Sequence, residues 1–181
     1  RDDVEWKKLG DVCEIGTGSH NTQDGLTEGL YSFYTRGSEV LYLNDYDYDE
    51  TAIITAGDGA GVGKVFHFVI GKYALHQRAY RIVPDKQIVS ARYLYYYIGA
   101  TFYDYIMKSS VSSSVVSIRR PMMVNYPIPL PPFSVQEEIV STLDRFNTLV
   151  NDLSQGLPAE IEARKQQYEY YRDKLLTFKR K

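Results

Sequence analysis

The glycine-rich segment from 57 to 64 contains residue types that could cradle a nucleotide phosphate. A Walker loop requires a glycine at position 58 and a serine or threonine after the lysine, which reaches magnesium. Asp58 and Val65 occupy those two positions. The dinucleotide-binding spacing also fails, because Val62 replaces its third glycine. The segment therefore predicts a tight connection between two strands rather than a nucleotide site.

Other catalytic patterns are incomplete as well. The acids from 45 to 50 resemble a calcium loop, but Glu50 replaces its glycine and Ala56 replaces its closing glutamate. Leu130 replaces the polar residue of the Asn/Asp-Pro-Pro-Tyr/Phe loop of amino-methyltransferases. The three histidines lack the spacing of metal ligands. We therefore predict no catalytic residue, no metal site and no cofactor on this chain, and we expect that it is not an enzyme.

Polar side chains that could read base edges fall in three segments of the chain. Amides can donate to and accept from adenine bidentately, while lysine and arginine can hold phosphates. The same residue types dominate solvated loops, so each position also has a structural interpretation. The candidate DNA-binding residues are Ser19, His20, Asn21 and Gln23, then Lys64, then His76, Gln77 and Arg78, and finally Lys108, Ser112, Arg119 and Arg120.

The net charge of −2 conceals a strong asymmetry along the chain. Residues 1–60 hold 13 acids and 4 bases, residues 61–133 hold 2 acids and 9 bases, and residues 134–181 hold 8 of each. The basic middle could form a surface that faces an anion. Alternatively, the acidic and basic segments pair with each other in the fold, and charge alone does not decide between these interpretations.

Composition indicates a soluble globular chain. With 181 residues and 44% hydrophobic content, it can form one domain with its own core plus an appendage. No apolar run approaches the roughly 20 residues of a membrane helix. Cys13 stands alone, which excludes a disulfide framework within the chain and favours a reducing cytoplasm.

The first 133 residues predict a mixed α+β head with a small sheet. Four segments are rich in β-branched and aromatic residues, and Ser90 can cap a helix through Lys108 with an apolar residue at every fourth position. Strands and one helix without βαβ alternation are typical of an α+β fold. The predicted strands are Val40–Leu43, Thr51–Ala56, Val65–Ile70 and Arg78–Val83.

From residue 134 to 181 the pattern predicts a long helical arm that could form a coiled coil. Two prolines stop the preceding chain, and Ser134 with Glu137 has the spacing of a capping box. The apolar spacing indicates a seam between helices, either within a helical hairpin or against another molecule, and we favour the second. The predicted partner-facing residues are Ile139, Leu143, Phe146, Val150, Leu153, Ile161, Tyr168 and Leu175.

These end segments resemble the specificity subunit of type I restriction–modification systems, and in particular one half of such a subunit. The resemblance rests on the opening from 6 to 12, the proline-rich exit from 128 to 140, Leu143 with Asp144, and above all the tail from 157 to 176. It implies a target-recognition domain at 1–133 that reads one half of a split DNA target. It also implies a helical spacer and dimerisation region at 134–181 that docks methyltransferase subunits.

The resemblance further implies partners that carry the chemistry. DNA methyltransferase (modification) subunits would use S-adenosylmethionine, and restriction/translocase subunits would use ATP and Mg, while this chain itself would bind double-stranded DNA. A full family member carries two heads and two helical regions, so this chain is either a natural half-subunit or an excised fragment. In both cases the unpaired seam predicts a homodimer through the arms. The alternative is a coiled-coil adaptor that binds protein and has no DNA specificity.

Overall fold

The structure, a computed structural model, describes residues 4–109, 117–152 and 158–178. A short 3-10 helix at Thr22–Asp24 accompanies the main elements. These elements are β1 (Glu5–Lys8), α1 (Leu9–Val12), β2 (Cys13–Thr17), β3 (Tyr31–Tyr34), β4 (Val40–Leu43), β5 (Tyr48–Ala56), β6 (Phe66–Leu75), β7 (Ala79–Pro84), α2 (Ala91–Ser109), α3 (Arg120–Val124), β8 (Pro127–Leu130), α4 (Phe133–Asp152) and α5 (Pro158–Leu176).

The chain divides into two compact units. Lys7–Ile128 forms the first, which we call the sheet unit. Pro129–Lys181, together with the residues before Lys7, forms the second, which we call the helical unit. The predicted α+β class is confirmed, because the chain combines a mixed sheet with separate helices.

The main sheet has six strands in the order β2-β7-β5-β6-β3-β4. Its neighbours pair antiparallel except for β3 and β6, which run parallel. β5 and β6 form a hairpin whose register runs from Tyr48 opposite Tyr73 to Thr55 opposite Phe66. The predicted connection through the glycine-rich segment is therefore confirmed. β1 and β8 form a separate two-stranded sheet.

The six-stranded sheet curls back on itself. The amides of Gly18 and Ser19, just beyond β2, donate to the carbonyls of His76 and Leu75 at the end of β6, at 3.3 and 3.2 Å. These bonds connect strands that are not neighbours in the sheet order, so the sheet must be strongly curved. Its inner face buries a cluster of Ala52, Ile54, Val69, Tyr73, Leu75 and Ala79.

Helix α2 packs on the opposite face of the sheet. Phe66 and Phe68 alternate with the inner residues of β6 and meet Phe102 and Tyr95 of α2, with ring centroids 6.3 and 5.5 Å apart. The predicted cap of this helix is confirmed, because Ser90 Oγ accepts a hydrogen bond from an amide of the first turn at 3.4 Å. The resulting two layers hold the ends of the strands in fixed positions.

In the helical unit, α4 begins at Phe133 rather than after Ser134. The carbonyl of Pro132 accepts the first helical bonds from the amides of Val135 and Gln136, at 2.9 and 3.0 Å. Ser134 therefore lies inside the first turn, and the predicted capping box is wrong. The buried side chain of Gln136 instead donates from its Nε2 to the carbonyl of Pro131 at 2.9 Å.

Helices α4 and α5 contact each other. The rings of Phe146 and Tyr171 stack with centroids 5.2 Å apart and an interplanar angle of 18°. Leu176 is buried on α5, whereas the predicted Leu175 is half-buried. Within the ranges given above, none of the helices combines the length and the apolar character needed to cross a bilayer.

Candidate functional site

Loops that follow β2, β3, β5 and β6 converge at one end of the curled sheet. The amide of His76 donates to the carbonyl of Tyr34 at 3.0 Å, and the amide of Gln77 donates to that of His20 at 2.9 Å. The amide of Gly57 donates to the carbonyl of Arg78, also at 2.9 Å. We call the side chains presented there the loop cluster, which consists of Asn21, Gln23, Arg36, Asp58, Gln77, Arg78 and Ser117.

An amide pair joins two of the predicted segments. Gln77 Nε2 donates to Asn21 Oδ1, although 56 positions separate the two residues. Both side chains are exposed, so their amide groups are accessible to a ligand. They line an open groove of about 580 Å³ together with Gln23, Arg36 and Arg78. Paired amides with outward donors and acceptors suit a base edge.

His76 supports this turn from the inside. It is 4% exposed, and its Nδ1 accepts a hydrogen bond from the backbone amide of Arg78 at 2.9 Å. Burial, and then the positive charges of Arg36 and Arg78, lower the pKa of His76. The ring is therefore neutral at pH 7, as the accepted hydrogen bond requires. His76, one of the predicted DNA-binding residues, thus stabilises the backbone of this turn and does not present an exposed donor to a ligand.

Asp58 ties two arginines together at the centre of the cluster. Its Oδ1 accepts from Arg36 Nη1 at 2.8 Å, and its Oδ2 accepts from Arg78 Nη1 at 3.1 Å. Burial by itself raises the pKa of Asp58, but the bonds and charges of the two arginines outweigh it and leave that pKa below its ordinary value. The carboxylate is therefore ionised, and the three side chains together carry a net positive charge.

The segment before α3 also reaches the cluster. The amide of Ile118 donates to the carbonyl of Gly57 at 2.7 Å, and this places Ser117 beside Gln77 and Arg78 along a second groove. Tyr80 lines the same groove. Burial raises the pKa of Tyr80, and the positive charge of Arg120 partly opposes that rise.

The other predicted cations lie on different elements. Lys64 Nζ is 5.4 Å from the ring centroid of Tyr103 on α2, and Lys108 lies in the last turn of that helix. Arg119 is exposed immediately before α3. Lys64 and Lys108 are exposed as well, so each of these cations can approach a phosphate. Ser112 lies outside the residues that the structure describes.

Part of the charge asymmetry is neutralised within the fold. Arg81 pairs with Glu14 and with Glu50, the latter at 3.0 Å, and its side chain is 11% exposed. Arg78 pairs with Asp58. The interpretation that acidic and basic segments pair with each other therefore holds for these two arginines, and Arg81 belongs to the interior rather than to the exposed basic surface.

The predicted partner-facing residues of the helical unit differ in exposure. Ile139 and Leu143 are fully buried within this chain, whereas Tyr168 and Leu175 are half-buried. Phe146 is also half-buried and stacks on Tyr171. Leu153 lies outside the described residues, and so do the side chains of Val150 on α4 and Ile161 on α5. Exposed Tyr170 was not predicted from the sequence.

The described part of the chain offers hydrogen-bond donors and cations rather than a metal centre. No group of three or more His, Cys, Asp or Glu side chains in residues 4–109, 117–152 and 158–178 is arranged to hold a metal ion. Arg36 and Asp58 were missed by the sequence reasoning. Two signals in the sequence pointed to these residues. Asp58 is a carboxylate between two glycines, and Arg36 is one of only 4 basic residues among the first 60 residues.

Comparison with protein-family models gives a match to the type I restriction modification DNA specificity domain over residues 1–163. The chain is 38% identical over 198 residues to the specificity subunit of the type I restriction enzyme EcoR124I/EcoR124II of Escherichia coli, covering 97% of this chain and 49% of that protein. It is 30% identical to a putative type I specificity subunit of Mycoplasma pneumoniae, covering 96% of this chain and 58% of that protein.

Solved structures show the same fold. The S subunit of a type I restriction–modification system from M. genitalium matches with a TM-score of 0.69 at 15% identity, over 86% of this chain and 42% of that one. The HsdS subunit from Thermoanaerobacter tengcongensis matches with a TM-score of 0.61 at 20% identity, over 96% and 44%. The chain thus spans about half the length of the relatives it matches. These relatives are specificity subunits, in agreement with the expectation that the chain is not itself an enzyme.

Proposed function

Since this chain belongs to the type I restriction modification DNA specificity domain family, we propose that it recognises one half of a bipartite DNA target for a restriction–modification complex. The sheet unit would read the target sequence through the loop cluster. The helical unit would hold a second copy of the chain and the methyltransferase subunits. Restriction/translocase subunits would join the assembly through those partners.

The observation that carries this proposal is the convergence of the loops. Asn21 lies 56 positions before the loop that carries Gln77 and Arg78, yet the exposed side chains of all three share one groove. Amide and guanidinium groups are the types that read base edges bidentately. The curved sheet and α2 hold the backbone beneath them, so the donors are positioned before DNA arrives.

The exposed cations outside the cluster support the same proposal. Lys64, Lys108 and Arg119 lie on separate elements and present charges to solvent. Contacts to phosphates position a protein on DNA, whereas base contacts select the sequence. We assign the first role to these cations and the second to the loop cluster. The catalytic chemistry, with S-adenosylmethionine, ATP and Mg, would belong to the partner subunits.

A domain exchange tests the proposal directly. The sheet unit, Lys7–Ile128, is replaced by the corresponding unit of a relative with a different target, and the helical unit is kept. Each chimera is combined with the methyltransferase subunits, and the modified sites are mapped by sequencing methylated DNA. We expect the modified site to follow the sheet unit. A site that stays unchanged after the exchange contradicts the assignment of recognition to this unit.

Salt dependence separates this function from that of a protein-binding adaptor. Binding that neutralises phosphates weakens steeply as salt rises, because counterions are released from DNA. We expect the complex with methyltransferase subunits to show a steep, linear plot of log affinity against log salt on a duplex that carries its site. An affinity that is negligible at low salt favours the adaptor.

A further inference from the structure

We infer that Asp58 is a positioning residue that holds the guanidinium of Arg78 to read a guanine in the major groove of the target, an inference that rests on the function proposed above. The ligand is thus a base edge that presents two acceptors, the O6 and N7 atoms of guanine. Arg36 holds the other oxygen of Asp58 and fixes the carboxylate from the opposite side.

The geometry leaves the reading edge of Arg78 available. Within the described ranges, its guanidinium bonds to Asp58 through Nη1 alone, and its side chain is 63% exposed. The planar guanidinium carries five donors in a fixed fork, so Nη2 and Nε can still form two parallel bonds. A carboxylate behind one edge of an arginine thus orients the opposite edge toward a ligand.

The backbone of Arg78 is fixed as well. Its amide donates to His76 Nδ1, and its carbonyl accepts from the amide of Gly57, each at 2.9 Å. Backbone and side chain are therefore both restrained before binding. A long side chain that is already ordered loses less rotamer freedom when it binds, so more of the contact energy contributes to discrimination between bases.

The presence of Asp58 favours a base contact over a phosphate contact. A carboxylate beside a phosphate-binding arginine opposes the attraction to DNA, because it cancels part of the positive charge. For a phosphate contact, an arginine without this neighbour would bind more strongly. The carboxylate is an advantage where orientation matters more than charge, as it does in bidentate recognition of guanine.

The surroundings of Arg78 also point to a base. Its neighbour Gln77 forms the exposed amide pair with Asn21, and the three side chains line one groove. Amides of this kind pair with base edges, in particular with adenine N6 and N7. Arg78 therefore lies within a row of groups suited to reading consecutive base pairs.

The test begins with the target itself. The chain, together with methyltransferase subunits, is used to enrich sequences from a pool of random double-stranded DNA. Each guanine of the enriched site is then replaced, one at a time, by 7-deazaguanine, which lacks the N7 acceptor. We expect one position in each half-site at which the substitution lowers wild-type affinity by roughly 5-fold or more, because N7 is one of the two acceptors of a bidentate contact that is worth about 5- to 150-fold in all. This measurement needs no variant protein and is independent of any folding defect.

Three variants then assign the contact. Arg78→Lys keeps the charge but loses the planar fork, so the deaza substitution at that position should weaken its binding clearly less than it weakens that of the wild type. Asp58→Asn should lose most of this sensitivity, yet it should bind random duplex more tightly and with a steeper salt slope, because one negative charge is gone. This gain distinguishes the variant from one with a folding defect, because a disrupted loop cluster would not bind random duplex more tightly. The matched control is Asp104→Asn, which removes an exposed carboxylate on α2 and should keep the wild-type base preference.

The outcomes separate this inference from the proposed function. A wild-type complex that enriches no sequence contradicts both. An enriched site without a guanine, or one at which all deaza substitutions are neutral, overturns the inference alone. The same holds if Asp58→Asn keeps the full wild-type sensitivity, or if Arg78→Lys weakens binding to all sequences equally, as a phosphate contact would.

Discussion

Arg119 is an exposed cation immediately before α3, outside the loop cluster. If it contacts a phosphate, Arg119→Ala should weaken binding to all sequences by a similar factor and reduce the salt slope by about one. Affinities for the selected site and for random duplex, measured at several salt concentrations, check this. Lys86→Ala removes a cation from the exposed connection before α2 and is the control. A change in base preference with Arg119→Ala would contradict the proposed division of roles.

Cys13 illustrates how the fold suppresses a reactive group. Burial, followed by the nearby charge of Asp85, raises the pKa of its thiol to about 12. The thiolate is the nucleophile, so at pH 8 almost all of Cys13 is the unreactive thiol. We expect alkylation by iodoacetamide to be slow in the native protein and to accelerate as pH rises towards this value. Unfolding in urea at pH 8 should restore the rate of an ordinary cysteine, and equal rates in both states would contradict the burial of the thiol.

For individual residues, the sequence indicates which side chains could bind DNA, but it does not indicate which other residues surround them. Asn21 and Gln77 were both predicted from their chemistry to contact bases, but their pairing depends on the curvature of the sheet. Asp58 was assigned only to a turn, because no local pattern shows that arginines from two other loops will surround it. Contacts between residues distant in sequence follow from topology, and periodicity within one segment does not contain that information.

Among the elements, those with strong periodicity or clear ends were predicted well. Val40–Leu43 has the predicted bounds, and α2 has the predicted cap. β6 extends to Leu75, beyond the predicted end at Ile70, because Gly71 accommodates a positive φ of 95° and lets the strand continue. The short strands β1, β2 and β3, of four or five residues each, were not predicted from the sequence.

The packing of α4 gives a prediction at the level of elements. Leu143 is fully buried, so Leu143→Ala should lower the free energy of unfolding of the helical unit by about 2–5 kcal/mol, through lost burial and a residual cavity. Urea denaturation followed by circular dichroism measures this. Lys165→Ala, at an exposed position of α5, should change the stability little. A Leu143→Ala variant as stable as wild type would show that this position is not part of a packed core.

For the whole molecule, the relation to longer relatives determines what must be tested. The chain matches specificity subunits over nearly all of its own length but only about half of theirs. It contains one sheet unit and one helical unit. A bipartite target requires two reading surfaces held at a fixed separation, and we propose that two copies of this chain supply them by associating through their helical units.

Association of this kind constrains the DNA target. Closed dimers use two-fold symmetry, and a two-fold axis presents the same loop cluster twice in opposite directions. We therefore expect a palindromic site with two identical half-sites and a constant gap. Sedimentation should give twice the chain mass of 20.8 kDa. Tyr170→Glu replaces an exposed ring of α5 by a carboxylate and should weaken the dimer if that face of α5 forms the contact. Asp104→Asn in the sheet unit should leave the mass of the dimer unchanged. A monomer that modifies a single, asymmetric half-site would contradict the dimer and leave recognition by the sheet unit intact.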